Sequence, residues 1–169
     1  SFYKDWGAIG GTTNFLAWGE FPESGKEPES LFMPRGVIMK RDVKGVKMAD
    51  QAKVTEHVAN AWYKGKDVLH PSQGVTDPQH GDYDTNGKYS WFKAPRYEGE
   101  PCEVGPLARV LVAFGKGKKE IQDLVNTVVT QLSIPVEALF STLGRTAARC
   151  VETVAIGAAW PVAHVADRV

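Results

Sequence analysis

Cysteine is scarce in this sequence. Only Cys102 and Cys150 occur in 169 residues, and no Cys-x-x-Cys pair exists. That excludes a disulfide-built scaffold and a thiolate zinc site. Whether the two thiols bridge one another stays open at this point. Paired histidines are missing as well. His57, His70, His80 and His164 never stand four residues apart, the helical spacing that zinc hydrolases use. Excess charge is absent too: 20 basic and 20 acidic residues cancel, so no broad nucleic-acid surface is expected. No uninterrupted apolar run reaches the roughly 18 residues of a membrane-spanning helix. Gly10-Gly11-Thr12-Thr13 lacks the Gly-Lys-Ser/Thr that completes a phosphate loop, and no Gly-x-Ser-x-Gly nucleophile elbow occurs. The start, SFYKDWGAIGG, has neither an initiator Met nor a basic-then-apolar leader. The end, ADRV, stops on a helical pattern. The sequence therefore reads as an internal piece of a longer polypeptide.

What is present is the composition of a folded protein, 43% apolar and 24% charged. A free-standing domain of this length buries about 70% of its unfolded surface. The pattern is α+β, dominated by helices, with a loop- and strand-rich part over 1–103 and a helical part over 104–169. Residues 1–18 suggest the end of a helix broken at Gly10-Gly11. GEFPESGKEPES reads as a polar surface loop. Gly36–Met39 is a short β-type run, with a hairpin expected around Lys44-Gly45. Val54–Tyr63 fits helical spacing and strand alternation about equally. Residues 64–88 are turn chemistry, with Gly65, Pro71, Gly74, Pro78, Gly81 and Asn86-Gly87. Gly105-Pro106 opens a helix that ends at Gly115 to Gly117. Lys118–Leu132 repeats the amphipathic stripe. A third helix is expected from Pro135, kinked at Pro161.

Few residues here carry chemistry by motif. His70, Asp77, His80, Asp82 and Asp84 cluster in the long loop and could hold a divalent metal for a hydrolase. Solvated turn residues are the simpler account. Arg145 and Arg149 lie one helical turn apart among small residues. A buried arginine needs carboxylates or carbonyls for its five donors, so an internal clamp is expected. Glu137, Glu152 or partners elsewhere could supply it. Around Lys93, Arg96, Glu100, Glu103 and Arg109, prolines 95, 101 and 106 stiffen the path and hold charge in fixed positions.

YSWFKAPRYEGEPCEVGPLARVLV, at 89–112, resembles the central segment of [NiFe] hydrogenase large subunits. So do YKDWGAIGGTTNFLAWGEFP, GVIMKRD, EHVANAWY and LFSTLGRTAARCVET, in the same order and spacing. The resemblance is greatest to the periplasm-facing uptake type. It implies reversible oxidation of H₂ to protons and electrons. It also implies a Ni–Fe centre with CO and CN ligands, a magnesium ion, and a small subunit carrying Fe–S clusters. The family's two Cys-x-x-Cys pairs, its catalytic glutamate and its arginine near the C-terminal motif are all missing here. Neither cysteine matches those motifs. The resemblance therefore assigns no catalytic residue and no direct metal ligand to this chain. It places Glu56 and Lys93, with Glu103 as a further candidate, as outer partners of the magnesium ion's water. Arg145 and Arg149 remain clamp candidates. The expected partners are the small subunit and the rest of the large subunit, with scaffold as this segment's role. The alternative is a non-catalytic scaffold or partner-binding module derived from the same fold.

Overall fold

The computed structural model describes residues 4–23, 30–65, 68–79 and 87–159. Short strands come first and helices follow. The strands are β1 (Phe15–Ala17), β2 (Glu20–Pro22), β3 (Leu31–Met33), β4 (Gly36–Ile38), β5 (Val54–His57), β6 (Val68–Leu69), β7 (Ala94–Tyr97) and β8 (Glu100–Pro101). The helices are α1 (Pro106–Gly115), α2 (Lys119–Leu132) and α3 (Thr142–Ala159). All strand pairs are antiparallel: β1 with β4, β2 with β3, and a sheet in the order β6-β5-β7-β8.

Strands β1 and β4 are buried along their whole length. Side chains alternate across a strand, so full burial requires cover on both faces. Phe15, Ala17 and Ile38 pack into the main core with the helices. Leu16 and Val37 point the other way, into a second cluster with Ala49, Tyr97 and Cys102. Register holds this in place: Phe15 faces Ile38, and Leu16 faces Val37.

Helix α1 is the central post. Gly105 precedes it at φ 104°, a conformation that disfavours any side chain, and Pro106 occupies the first turn. Leu107, Ala108, Val110, Leu111, Val112 and Ala113 are all buried, so this helix is covered nearly all round. Burying Leu107 and Leu111 contributes on the order of 2–3 kcal/mol each. Helix α2 buries a narrower stripe led by Ile121 and Val125, and closes on Ser133 at φ 53°.

Several expectations need correction. The first residues form a 3-10 helix, Lys4–Gly7, rather than the tail of an α-helix. GEFPESGKEPES is not all loop, because Glu20–Pro22 pairs with Leu31–Met33. Val54–His57, open between helix and strand by pattern, is a strand, decided by backbone pairing with β7. The third helix does not begin at Pro135. A 3-10 turn, Val136–Leu139, comes first, and the chain breaks at Phe140 before α3 starts. Ser141 makes the restart: its Oγ accepts from Gly144 N–H at 3.1 Å and donates to Ala138 C=O at 2.7 Å. The hairpin around Lys44-Gly45 is present as a tight turn that returns Lys47 to Val37. Pro161 and His164 lie outside the described residues, as do His80, Asp82 and Asp84.

Candidate functional site

Three partly buried ion pairs organise the polar interior. The first joins Glu103, just before α1, to Arg145 on α3. Arg145 Nε and Nη2 donate to the two carboxylate oxygens, each at 2.7 Å. Thr12 Oγ1 adds a third bond at 2.6 Å. The Glu103 side chain is 12% exposed, so this paired charge sits largely out of water. Its hydrogen bond to Glu103 raises the Arg145 pKa, so the guanidinium stays charged. The Glu103 backbone is fixed as well, donating to Asn14 C=O and accepting from Leu16 N–H, both at 2.9 Å.

Segment 10–14 reaches this position because two close approaches allow it. A Cβ on Gly11 would lie 2.1 Å from Phe140 O, and one on Gly10 would lie 2.2 Å from Thr142 Oγ1. Asn14, only 5% exposed, accepts from Lys40 N–H at 2.9 Å and donates to Pro101 C=O at 3.0 Å. Beside these residues opens a cleft of about 470 Å³, lined by Thr12, Asn14, Met39, Lys40, Pro101 and Cys102 among others.

The second pair is Glu56 on β5 with Lys93, which immediately precedes β7. Lys93 Nζ lies 2.7 Å from Glu56 Oε1 and 5.5 Å from the centre of the Tyr63 ring. Both side chains are mostly buried. Glu56 also lines a pocket of about 70 Å³ with Val58, Lys64, Leu69, Gly74 and Val75. A Cβ on Gly74 would sit 1.9 Å from Glu56 Oε1, so the bare glycine gives the carboxylate its place.

The third pair ties α1 to α3: Arg109 donates through Nε and Nη2 to both oxygens of Glu152. That bond raises the Arg109 pKa.

The structure thus brings Glu56 to Lys93, and Glu103 to Arg145, as two separate clusters. Arg149 does not share the clamp. It is exposed, and its Nη1 donates to the Arg145 carbonyl at 2.9 Å. Glu152 serves Arg109 instead of the arginines on its own helix. Sequence reasoning missed Thr12 and Asn14, because lone polar residues in a Gly-rich stretch carry no periodic signal. It also missed Lys88, which binds three carbonyls. Ser141 was findable as a capping residue ahead of an apolar stripe.

Residues 1–164 match the family model described as nickel-dependent hydrogenase. The chain belongs to the nickel-dependent hydrogenase family. It is 42% identical over 180 aligned residues to the uptake hydrogenase large subunit of Bradyrhizobium diazoefficiens, covering 93% of this chain and 30% of that protein. It is 37% identical to the uptake hydrogenase large subunit of Rhodobacter capsulatus, covering 89% of this chain and 29% of that protein. The reduced, active Ni-Fe-Se hydrogenase of Desulfomicrobium baculatum superposes with a TM-score of 0.65 at 30% identity, over 93% of this chain and 32% of that one. The chain therefore spans about a third of the length of the hydrogenase chains it matches.

The residues here do not fit the direct ligand set of a thiolate-held nickel centre. Such ligands must be ionised and must converge. Both cysteines are free; Cys102 is buried and Cys150 is exposed. Burial pushes the Cys102 thiol up to about 11. Among the described residues no three His, Cys, Asp or Glu side chains converge on a metal-sized site. His70 is bonded to Ser72 within its own turn, and Asp77 pairs with Lys64.

Proposed function

We propose that this chain is the middle portion of a [NiFe] hydrogenase large subunit. In that reading the whole enzyme oxidises H₂ reversibly to protons and electrons, and an Fe–S small subunit receives the electrons. The match of residues 1–164 to the nickel-dependent hydrogenase family carries the proposal. This segment contributes a packed scaffold and polar groups around the centre, and no direct nickel or iron ligand. The CO- and CN-bearing Ni–Fe centre is held by cysteines outside it.

Glu56 and Lys93 are the residues assigned to the magnesium ion. Mg²⁺ retains most of its water, so a carboxylate and an ammonium can hold it through that water. The paired, mostly buried placement of the two side chains, with Glu56 lining a small pocket, supports the assignment. Glu103, bound by Arg145 and Thr12, is better suited to fixing segment 10–14 against α3. The likeness to uptake hydrogenase large subunits supports a periplasm-facing location for the complete protein. Among the described residues no helix is long and apolar enough to cross a membrane.

Hydrogen uptake with a dye acceptor, together with nickel and iron analysis, tests the reading. The isolated 169-residue chain should bind neither metal and show no turnover. The natural polypeptide that carries it, assembled with its partner, should do both. Turnover by the isolated chain, or metal-free natural polypeptide, would overturn it.

A further inference from the structure

Lys88 does something no motif announces. Its Nζ lies 2.8 Å from Ala61 O, 2.5 Å from Tyr63 O and 3.3 Å from Gly65 O. An ammonium has three donors and no acceptor, and here each donor has a backbone carbonyl. The carbonyls come from alternate residues. The chain bends at Trp62 and Lys64 and Gly65 takes φ 87°, and this curl turns the three oxygens toward one point. The segment pairs with its neighbours only through isolated bridges, Ala61 with Ser90 and Tyr63 with Pro78. The Ala61 carbonyl also accepts from Tyr63 N–H at 2.7 Å, and the ammonium adds a donor to it and to the Tyr63 and Gly65 carbonyls. The same segment carries the Tyr63 and Trp62 rings, which stack edge-on against Trp91.

We propose that the carbonyl oxygens of Ala61, Tyr63 and Gly65 form a monovalent-cation site that the chain fills with its own Lys88 ammonium. Shortening Lys88 turns it into a binding site for a free primary ammonium ion. Directional donors favour an alkylammonium over potassium, because three oxygens leave most of a metal cation's coordination unfilled. The proposal is independent of the magnesium assignment.

The test uses Lys88→Ala and Lys88→Met in the natural polypeptide. Thermal unfolding is compared in n-propylammonium and tetramethylammonium chloride at equal ionic strength. The first cation replaces the atoms that Lys88→Ala removes; the second has charge without donors. At about tenfold saturation n-propylammonium should raise the melting temperature of Lys88→Ala by roughly 1 °C over tetramethylammonium. Wild type and Lys88→Met, whose side chain still fills the space, should show no difference. An equal response of Lys88→Ala to both salts overturns the proposal. Should that variant fail to fold, reductive methylation of the wild type decides. Lys88 should react at least about tenfold more slowly than Lys119, whose side chain is 80% exposed. Equal rates overturn it.

Discussion

Arg145 grips Glu103 across 42 residues of sequence, with two parallel N–H···O bonds of 2.7 Å. That contact ties the start of α1 to the first turns of α3, and through Thr12 it draws in the N-terminal segment. A fork-shaped guanidinium on a carboxylate fixes orientation as well as distance.

Removing both partners should therefore cost less than the two single losses added together. Arg145→Ala and Glu103→Ala are each expected to lose about 2–4 kcal/mol, because each leaves a mostly buried charge unpaired. The double variant should be more stable than the sum of the two losses implies by at least about 1 kcal/mol. Urea unfolding of the four proteins measures this. Strict additivity would show that the pair contributes no coupling.

Two glycines of α3 should respond in opposite directions. A Cβ at Gly144 would lie 1.9 Å from the Leu139 carbonyl oxygen, so Gly144→Ala forces backbone to move. The expected loss is about 1–3 kcal/mol or more. Among the described residues, a Cβ at Gly157 meets nothing within 4 Å. Gly157→Ala should gain about 0.5–1 kcal/mol, from the smaller entropy that alanine loses in a helix. Thermal melts of the two variants check the contrast, and a loss at both positions would contradict it.

Cys102 should make stability fall at high pH. Burial raises its thiol from 9.0 to about 11, so the folded protein holds the proton more tightly than the unfolded chain. The contribution is complete below pH 9 and fades as pH rises toward 11. It amounts to roughly 2–3 kcal/mol at most. Lysines and tyrosines also titrate there, so the measurement is the difference between wild type and Cys102→Ala across that window. That difference should shift against the wild type as pH rises, and a flat one would refute the assignment. Over the same range Cys150 should react with iodoacetamide well before Cys102.

Gly74→Ala offers a way to move the Glu56 carboxylate without charge removal. Its Cβ would meet Glu56 Oε1 at 1.9 Å, and that oxygen is the free end of a flexible side chain. The expected stability loss is about 2–4 kcal/mol, because the bond to Lys93 is broken between two mostly buried charges. In the natural polypeptide, Gly74→Ala and Glu56→Gln should both lower magnesium content, measured by elemental analysis. Full magnesium in both variants would remove Glu56 from that ion's surroundings.

Sequence reasoning reached the helical part best. Gly105-Pro106, the stop at Gly115 to Gly117 and the stripe of α2 are local signals, set by backbone chemistry within a few residues. It also singled out Glu56, Lys93, Glu103 and Arg145, though not Thr12, because blocks such as EHVANAWY and YSWFKAPRY are distinctive as wholes. What lay beyond it were the pairings. Glu137 and Glu152 are nearer in sequence to Arg145 than Glu103 is, yet Glu103 receives it. Val54–His57 fitted helix and strand about equally, and pairing with β7 made it a strand.

The sequence by itself determined where helices could start and stop, which faces were apolar, and which family the chain resembles. Those follow from torsional preference, hydrophobic periodicity and residue identity, all of them local. Tertiary structure alone decided which charge meets which, and that Lys88 turns inward onto three carbonyls. A side chain's charge specifies the kind of partner it needs, and only the folded path of the backbone brings one within reach.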